Sequence, residues 1–169
     1  MNYFELFDIA ISFSPDKAQL KLKFYELSRK YHPDFFTQEN ETEQAEALEK
    51  ASLVNKGFKV LQNQDETIKY VLQLKGLLEE EEKYNLPPDF LMEMMELNEQ
   101  LADAKMEGDS NAFEAINKLI ADKEEEIYEP VKNNIENYKE GTTTNEELLQ
   151  VKEYYFKKKY LNRILATIG

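Results

Sequence analysis

The sequence predicts an all-α protein, and three observations carry that expectation. Apolar residues recur at spacings of three and four along most of the chain, as one face of a helix requires. Glycine and proline number five each in 169 residues, few for a protein built on turns and strands. No stretch alternates apolar with polar residues in the manner of a half-buried strand. The pattern breaks near residue 80, so the chain is expected to form one helical domain over residues 1–78, a linker over 79–86 and a three-helix domain over 87–169.

Residues 2–10 are short and rich in apolar side chains, which predicts a small helix that lies on something larger. Ser14-Pro15-Asp16 then reads as a helix start, with Ser14 as N-cap, Pro15 at the first helical position and Asp16 in the first turn. The helix from Lys17 to Tyr31 carries Leu20, Phe24, Leu27 and Tyr31 in one stripe, and a later helix ending at Leu61 carries Ala47, Ala51, Val54, Phe58 and Leu61. Helices joined by a short connection fold back on each other, so the stripes should face one another in an antiparallel hairpin. Its tip is His32-Pro33-Asp34, which holds the chain's single histidine. Pro33 fixes its own φ and pushes His32 out of helical geometry, which ends the first helix and restricts the loop. A short polar connection also leaves the Asp34 carboxylate nowhere to be buried.

The outer face of the first hairpin helix is basic. Lys21, Tyr25 and Arg29 lie four apart in an outward strip flanked by Lys17, Lys23 and Lys30. Residues 17–31 hold five basic side chains against the single acid Glu26, a local charge of +4 in a chain of net charge −13. Such opposed fields steer association with an acidic surface. A fourth helix from Asp65 to about Gly76 offers Ile68, Val71 and Leu72 to a contact face, with Gly76 as its stop. Residues 77–85, with four consecutive Glu at 79–82, read as linker or frayed helix, and Leu86-Pro87-Pro88-Asp89 punctuates the chain.

The helix that opens at Asp89 has more apolar residues than one face can use. At about 100° per residue Phe90, Met94, Leu97, Leu101 and Ala104 share one stripe and should be core. Leu91, Met92 and Met95 fall toward the far side among Glu96, Glu99 and Asp103. Periodicity leaves two readings open: an exposed apolar patch edged with acid that grips a partner, or core beneath another helix. The next helix, Ser110 to Tyr138, should bury Phe113, Ile116, Ile120, Ile127, Val131 and Ile135, with Pro130 kinking or dividing it. After a turn at Gly141, Thr144 and Glu147 suit a capping box, and the last helix, Asn145 to about Ile168, offers Val151, Tyr154, Leu161, Leu165 and Ile168 to the core. Tyr160 lies beside that stripe, next to Lys157, Lys158 and Lys159.

Composition narrows the chemistry. The acidic balance argues against nucleic-acid binding, since phosphate contacts need a large basic footprint. No stretch approaches a membrane span and the start does not resemble a targeting segment, so a cytoplasmic location and no membrane partner are expected. With no cysteine, thiol catalysis and thiolate metal sites are ruled out. His32 with Asp34 lacks a Gly-flanked nucleophile, and His32 has no partners at ligand spacing, so neither an enzyme, a metal site nor a cofactor is expected.

His-Pro-Asp between a basic helix and an apolar one resembles the J-domain co-chaperones, the DnaJ family. Met1-Asn2-Tyr3-Phe4-Glu5-Leu6-Phe7, Tyr31-His32-Pro33-Asp34-Phe35-Phe36, Val54-Asn55-Lys56-Gly57-Phe58-Lys59-Val60-Leu61 and Tyr70-Val71-Leu72-Gln73-Leu74-Lys75-Gly76, in this order, are similar to the HscB type, which serves iron-sulfur cluster assembly. The resemblance implies that residues 1–78 are a J-domain. His32, Pro33 and Asp34 would dock on a DnaK/HscA-type chaperone and promote its ATP hydrolysis, with Lys21, Tyr25 and Arg29 orienting the complex. It further implies that Leu91, Met92, Met95, Glu96, Glu99, Asp103 and Tyr160 bind an IscU-like iron-sulfur scaffold protein. Phe35 departs from the J-domain pattern, in which a lysine is common, and removes a positive charge from the loop. Two alternatives stand beside this reading: a J-protein with another client, and a helical adaptor that meets no chaperone.

Overall fold

The computed structural model describes residues 1–108 and 110–167. The described residues contain helices and turns and no strand. Chain contacts divide the molecule into two compact units, Met1–Lys75 with Ile135–Thr142, and Gly76–Asn134 with Thr143–Gly169.

The first unit is built on a hairpin of α2 (Lys17–Lys30) and α3 (Glu41–Leu61). The expected stripes do meet: Leu20, Ala47, Val54 and Leu61 are buried, and the rings of Phe24 and Phe58 stack at 4.1 Å. The start of α2 differs from the sequence reading. Asp16, not Ser14, is the N-cap, its carboxylate accepting from the Gln19 backbone N–H at 2.8 Å, and Pro15 stands outside the helix. A carboxylate suits this position better because it also meets the positive end of the helix dipole.

The N-terminal helix is shorter than the stretch 2–10: α1 covers Tyr3–Leu6, capped by Asn2. It lies on α3 at Gly57, where an added Cβ would come within 2.9 Å of both the Phe7 and Tyr3 rings. Phe4 and Phe7 are fully buried as a result. The α4 helix (Gln64–Leu74) completes this core with Ile68, Val71 and Leu72, and Gly76 at φ +70° follows its end as expected. The Tyr70 ring stacks on Tyr3, and its hydroxyl accepts from the Tyr3 backbone N–H at 2.9 Å. Residues 135–142 group with this unit. There Tyr138 meets Phe13 edge-on at 5.2 Å, and Lys75 pairs with Glu140.

The second unit is a bundle of α5 (Pro88–Glu107), α6 (Ser110–Tyr128) and α8 (Asn145–Ala166). All five stripe residues of α5 are buried, as are Ile116, Ile120, Ile127 and Val131, whereas Phe113 is only half-buried; Ile135, which groups with the first unit, is buried as well. Pro130 divides the expected long helix: a 3₁₀ turn at Glu129–Val131 separates α6 from the short α7 (Lys132–Glu136), because the ring removes a backbone donor. Thr144 and Glu147 form the expected capping box. In α8, Val151, Tyr154 and Leu161 are buried, and so is Ile164, while Leu165 is half-buried. Ile168 lies outside the described residues. Residues 82–86, expected as linker, run against α8: Glu82 pairs with Lys152 at 2.7 Å, and Tyr84 stacks on Phe156 at 4.6 Å, 3° from parallel.

Candidate functional site

The tip of the hairpin follows from local backbone chemistry. Tyr31 caps α2, and His32 turns extended (φ −63°, ψ 131°), as the residue before a proline must. Pro33–Phe36 then forms one 3₁₀ turn. The Asp34 backbone N–H donates to His32 Nδ1 at 3.2 Å, and the Asp34 carboxylate lies 3.6 Å from the same nitrogen. The loop is thus shaped by its own groups while remaining open: the His32 and Asp34 side chains are 54% and 85% exposed.

The basic strip beside the loop is equally open. Lys21, Tyr25 and Arg29 are exposed on α2, and Lys21 Nζ sits 5.9 Å from the Tyr25 ring centroid, a cation–π arrangement that presents charge and ring together. Lys23 differs from its flanking role: it is half-buried and lies 3.9 Å from Asp8. Lys30 and Lys50 both sit over the Tyr31 ring, at 5.3 and 5.7 Å, so α3 adds a cation that the α2 pattern could not show.

In the second unit the two readings of α5 separate. Met92 and Met95 are 62% and 60% exposed, Glu96, Glu99 and Asp103 are exposed, and Leu91 is half-buried. Among the described residues of the unit, therefore, no helix covers this ridge. Leu91 and Tyr160 line one cleft, and Tyr160 meets the buried Phe90 edge-on at 6.2 Å, which places this half-buried ring at the border of core and surface. The opposite flank of α5 is tied into the bundle: Lys123 of α6 pairs with Glu93 and, at 3.3 Å, with Glu126. Burial works to lower the Lys123 pKa, but its carboxylate hydrogen bonds prevail and raise it. The hairpin tip and the ridge are exposed for different reasons, one by the geometry of a short loop, the other by an excess of apolar residues on one helix.

Residues 86–169 match the family model of the HSCB C-terminal oligomerisation domain. The human protein named "Iron-sulfur cluster co-chaperone protein HscB" is 32% identical over 168 residues, covering 99% of this chain and 67% of the human one. The chain belongs to the HscB family. A co-chaperone protein HscB homolog from Pseudoalteromonas atlantica is 37% identical over 123 residues, 72% of this chain and 70% of that one. The crystal structure of human co-chaperone protein HscB matches with a TM-score of 0.82 at 31% identity, over 99% of this chain and 80% of the human one. HscB from Vibrio cholerae, at 24% identity and a TM-score of 0.68 over the full length of both chains, shares the fold. These relatives are named as co-chaperones, not as enzymes.

Two features of this HscB chain were missed or undervalued in the sequence. Leu22 is 66% exposed on α2, three residues before Tyr25 and seven before Arg29, a spacing that sets an apolar side chain on the same face as the basic strip. Phe35 is 69% exposed and stands edge-on to the His32 ring at 6.3 Å, so the position that lacks a lysine presents an apolar knob instead. Among the described residues no helix is long and apolar enough to cross a membrane.

Proposed function

We propose that this chain is a co-chaperone of iron-sulfur cluster assembly that stimulates the ATPase of a DnaK/HscA-type chaperone and brings it an IscU-like scaffold protein. In this reading residues 1–78 act as the J-domain, 79–86 as linker and 87–169 as the scaffold-binding domain, at work in the cytoplasm. One observation supports it best. An exposed His-Pro-Asp loop beside a basic strip occurs in the same HscB-family chain as an exposed Leu/Met ridge edged with acid, each on its own compact unit.

The mechanism is allosteric. The nucleotide and the groups that hydrolyse it belong to the chaperone. The role of His32, Pro33 and Asp34 is to favour the hydrolysing state by binding it more tightly than the alternative. Lys21, Tyr25 and Arg29 raise the encounter rate with an acidic surface. Leu91, Met92 and Met95 supply apolar contact to the scaffold, Tyr160 extends it, and Glu96, Glu99 and Asp103 select basic neighbours. Holding chaperone and client on one chain raises their effective concentration for each other.

The test is steady-state phosphate release by the chaperone as this protein and scaffold are titrated in. Wild type should stimulate release, and His32→Gln should lose the stimulation while keeping its melting temperature. Stimulation by a folded His32→Gln protein equal to that of wild type would show that the loop is not the contact.

A further inference from the structure

Next to the acidic ridge, and wholly within the second unit, a cleft of about 410 Å³ opens between residues 82–86 and α8. Its charge is opposite to that of the ridge and of the chain. Lys83, Lys159 and Arg163 line it and are exposed, and none has a carboxylate at ion-pair distance among the described residues. The one acid in the lining, Glu82, is already engaged. Its hydrogen bond with Lys152, helped by the Glu79 backbone N–H, holds its carboxyl below the ordinary range. Three cations converging on one concavity in a chain of net charge −13 focus a local positive field against the background.

The walls are aromatic as well as cationic. Tyr84 and Phe156 stack in parallel, and Lys159 Nζ sits 6.0 Å from the Phe156 centroid. Leu91 and Tyr160, two members of the proposed scaffold-binding set, belong to the same lining, so cleft and ridge form one continuous surface. A carboxylate carried beside an apolar side chain satisfies both kinds of wall, because the cations need an anion and the rings need apolar area.

We propose that the cleft is a second subsite of the scaffold interface, which receives an acidic side chain flanked by an apolar residue on the scaffold protein. This deepens the functional reading above and rests on it. The interface is then bipolar, with acid on the α5 ridge and base in the cleft. A scaffold segment fits in one register only, because turning it round sets like charges against each other.

Titration calorimetry of the scaffold protein against three forms of this chain tests the subsite: wild type, Leu91→Ala with Met95→Ala, and Lys159→Glu with Arg163→Glu. The charge-reversed form should bind about tenfold or more weakly at low salt, and the difference should shrink as added salt screens the pair. Circular dichroism and sedimentation establish that each variant is folded and in the same association state as wild type. Should Arg163→Glu disturb α8, Lys83→Glu in the 82–86 segment replaces it in the assay. Affinity within twofold of wild type after charge reversal, with the Ala pair clearly weakened, overturns the subsite and leaves the ridge reading intact. A wild-type self-association that charge reversal abolishes would assign the cleft to a second copy of this chain and overturn it as well. Absence of any wild-type binding would instead remove the scaffold reading on which the subsite depends.

Discussion

The hairpin tip and the α5 ridge both stand exposed, and they solve opposite problems. At the tip the backbone decides: Pro33 and the 3₁₀ turn hold His32 and Asp34 outward, and few contacts are needed beyond the loop itself. On the ridge the backbone is ordinary helix, and the side chains decide. Met92 and Met95 stay in water because Phe90, Met94, Leu97, Leu101 and Ala104 already fill the core side. A substitution in the loop should therefore change shape and recognition together, whereas one on the ridge should change recognition alone.

The largest expected effect that sharpens this contrast is on the ridge. Replacing Leu91 and Met95 together by Ala should weaken scaffold binding by about 2 kcal/mol or more by calorimetry, the range of contact hot spots. The melting temperature should move little, because Met95 is 60% exposed and Leu91 stands only half-buried at the edge of the core; unchanged affinity in a folded protein would remove the ridge from the interface. A smaller effect is expected at the basic strip. Lys21→Glu with Arg29→Glu should slow chaperone encounter by about tenfold at low salt, with the gap closing as ionic strength rises. A gap that persists in high salt would mean that these residues act by shape and not by field. Smaller again is Phe35→Lys, which restores a charge to the loop rim and should speed encounter by roughly twofold in low salt; a decrease would show that the Phe35 knob itself makes contact.

A separate effect is on stability and concerns one ion pair in each unit. Glu82 is held low chiefly by its hydrogen bond with Lys152, and Glu140 by its hydrogen bonds with Lys75 and then Tyr138. Both carboxyls release their proton more readily when folded than when unfolded. Their contribution is complete above the ordinary value of 4.5 and is lost as pH falls through the lower folded values. Glu82→Gln should cost roughly 1 kcal/mol at neutral pH in a denaturant titration and should flatten the acid limb of the stability profile. An unchanged acid limb would show that the Lys152 pair adds nothing.

How much of this was legible in the sequence depends on the range of the interaction. The hairpin stripes, the α5 core stripe and the Thr144 capping box are set by residues three or four apart, and those were readable. The start of α2 was misread because Ser14, Pro15 and Asp16 all carry helix-start signals, and only the hydrogen bond to Gln19 distinguishes among them. The Tyr84–Phe156 stack and the pairing of Lys75 with Glu140 join residues far apart in the chain, and no periodicity announces them. The same holds for the candidate sites. Single positions such as His32 and Met95 could be named in advance, but the cleft that brings Leu91 and Tyr160 together with Lys83, Lys159 and Arg163 exists only once the 82–86 segment has found α8.

The hydrogen bond from the Asp34 backbone to His32 Nδ1 has a chemical consequence for recognition. A neutral imidazole that accepts at Nδ1 must carry its proton at Nε2, so the other nitrogen of this half-exposed ring is a donor. Any protein surface meeting this corner finds an N–H, and beside it a carboxylate that can only accept. A glutamine at position 32 retains polarity but loses the ring whose Nδ1 bond fixes which nitrogen donates.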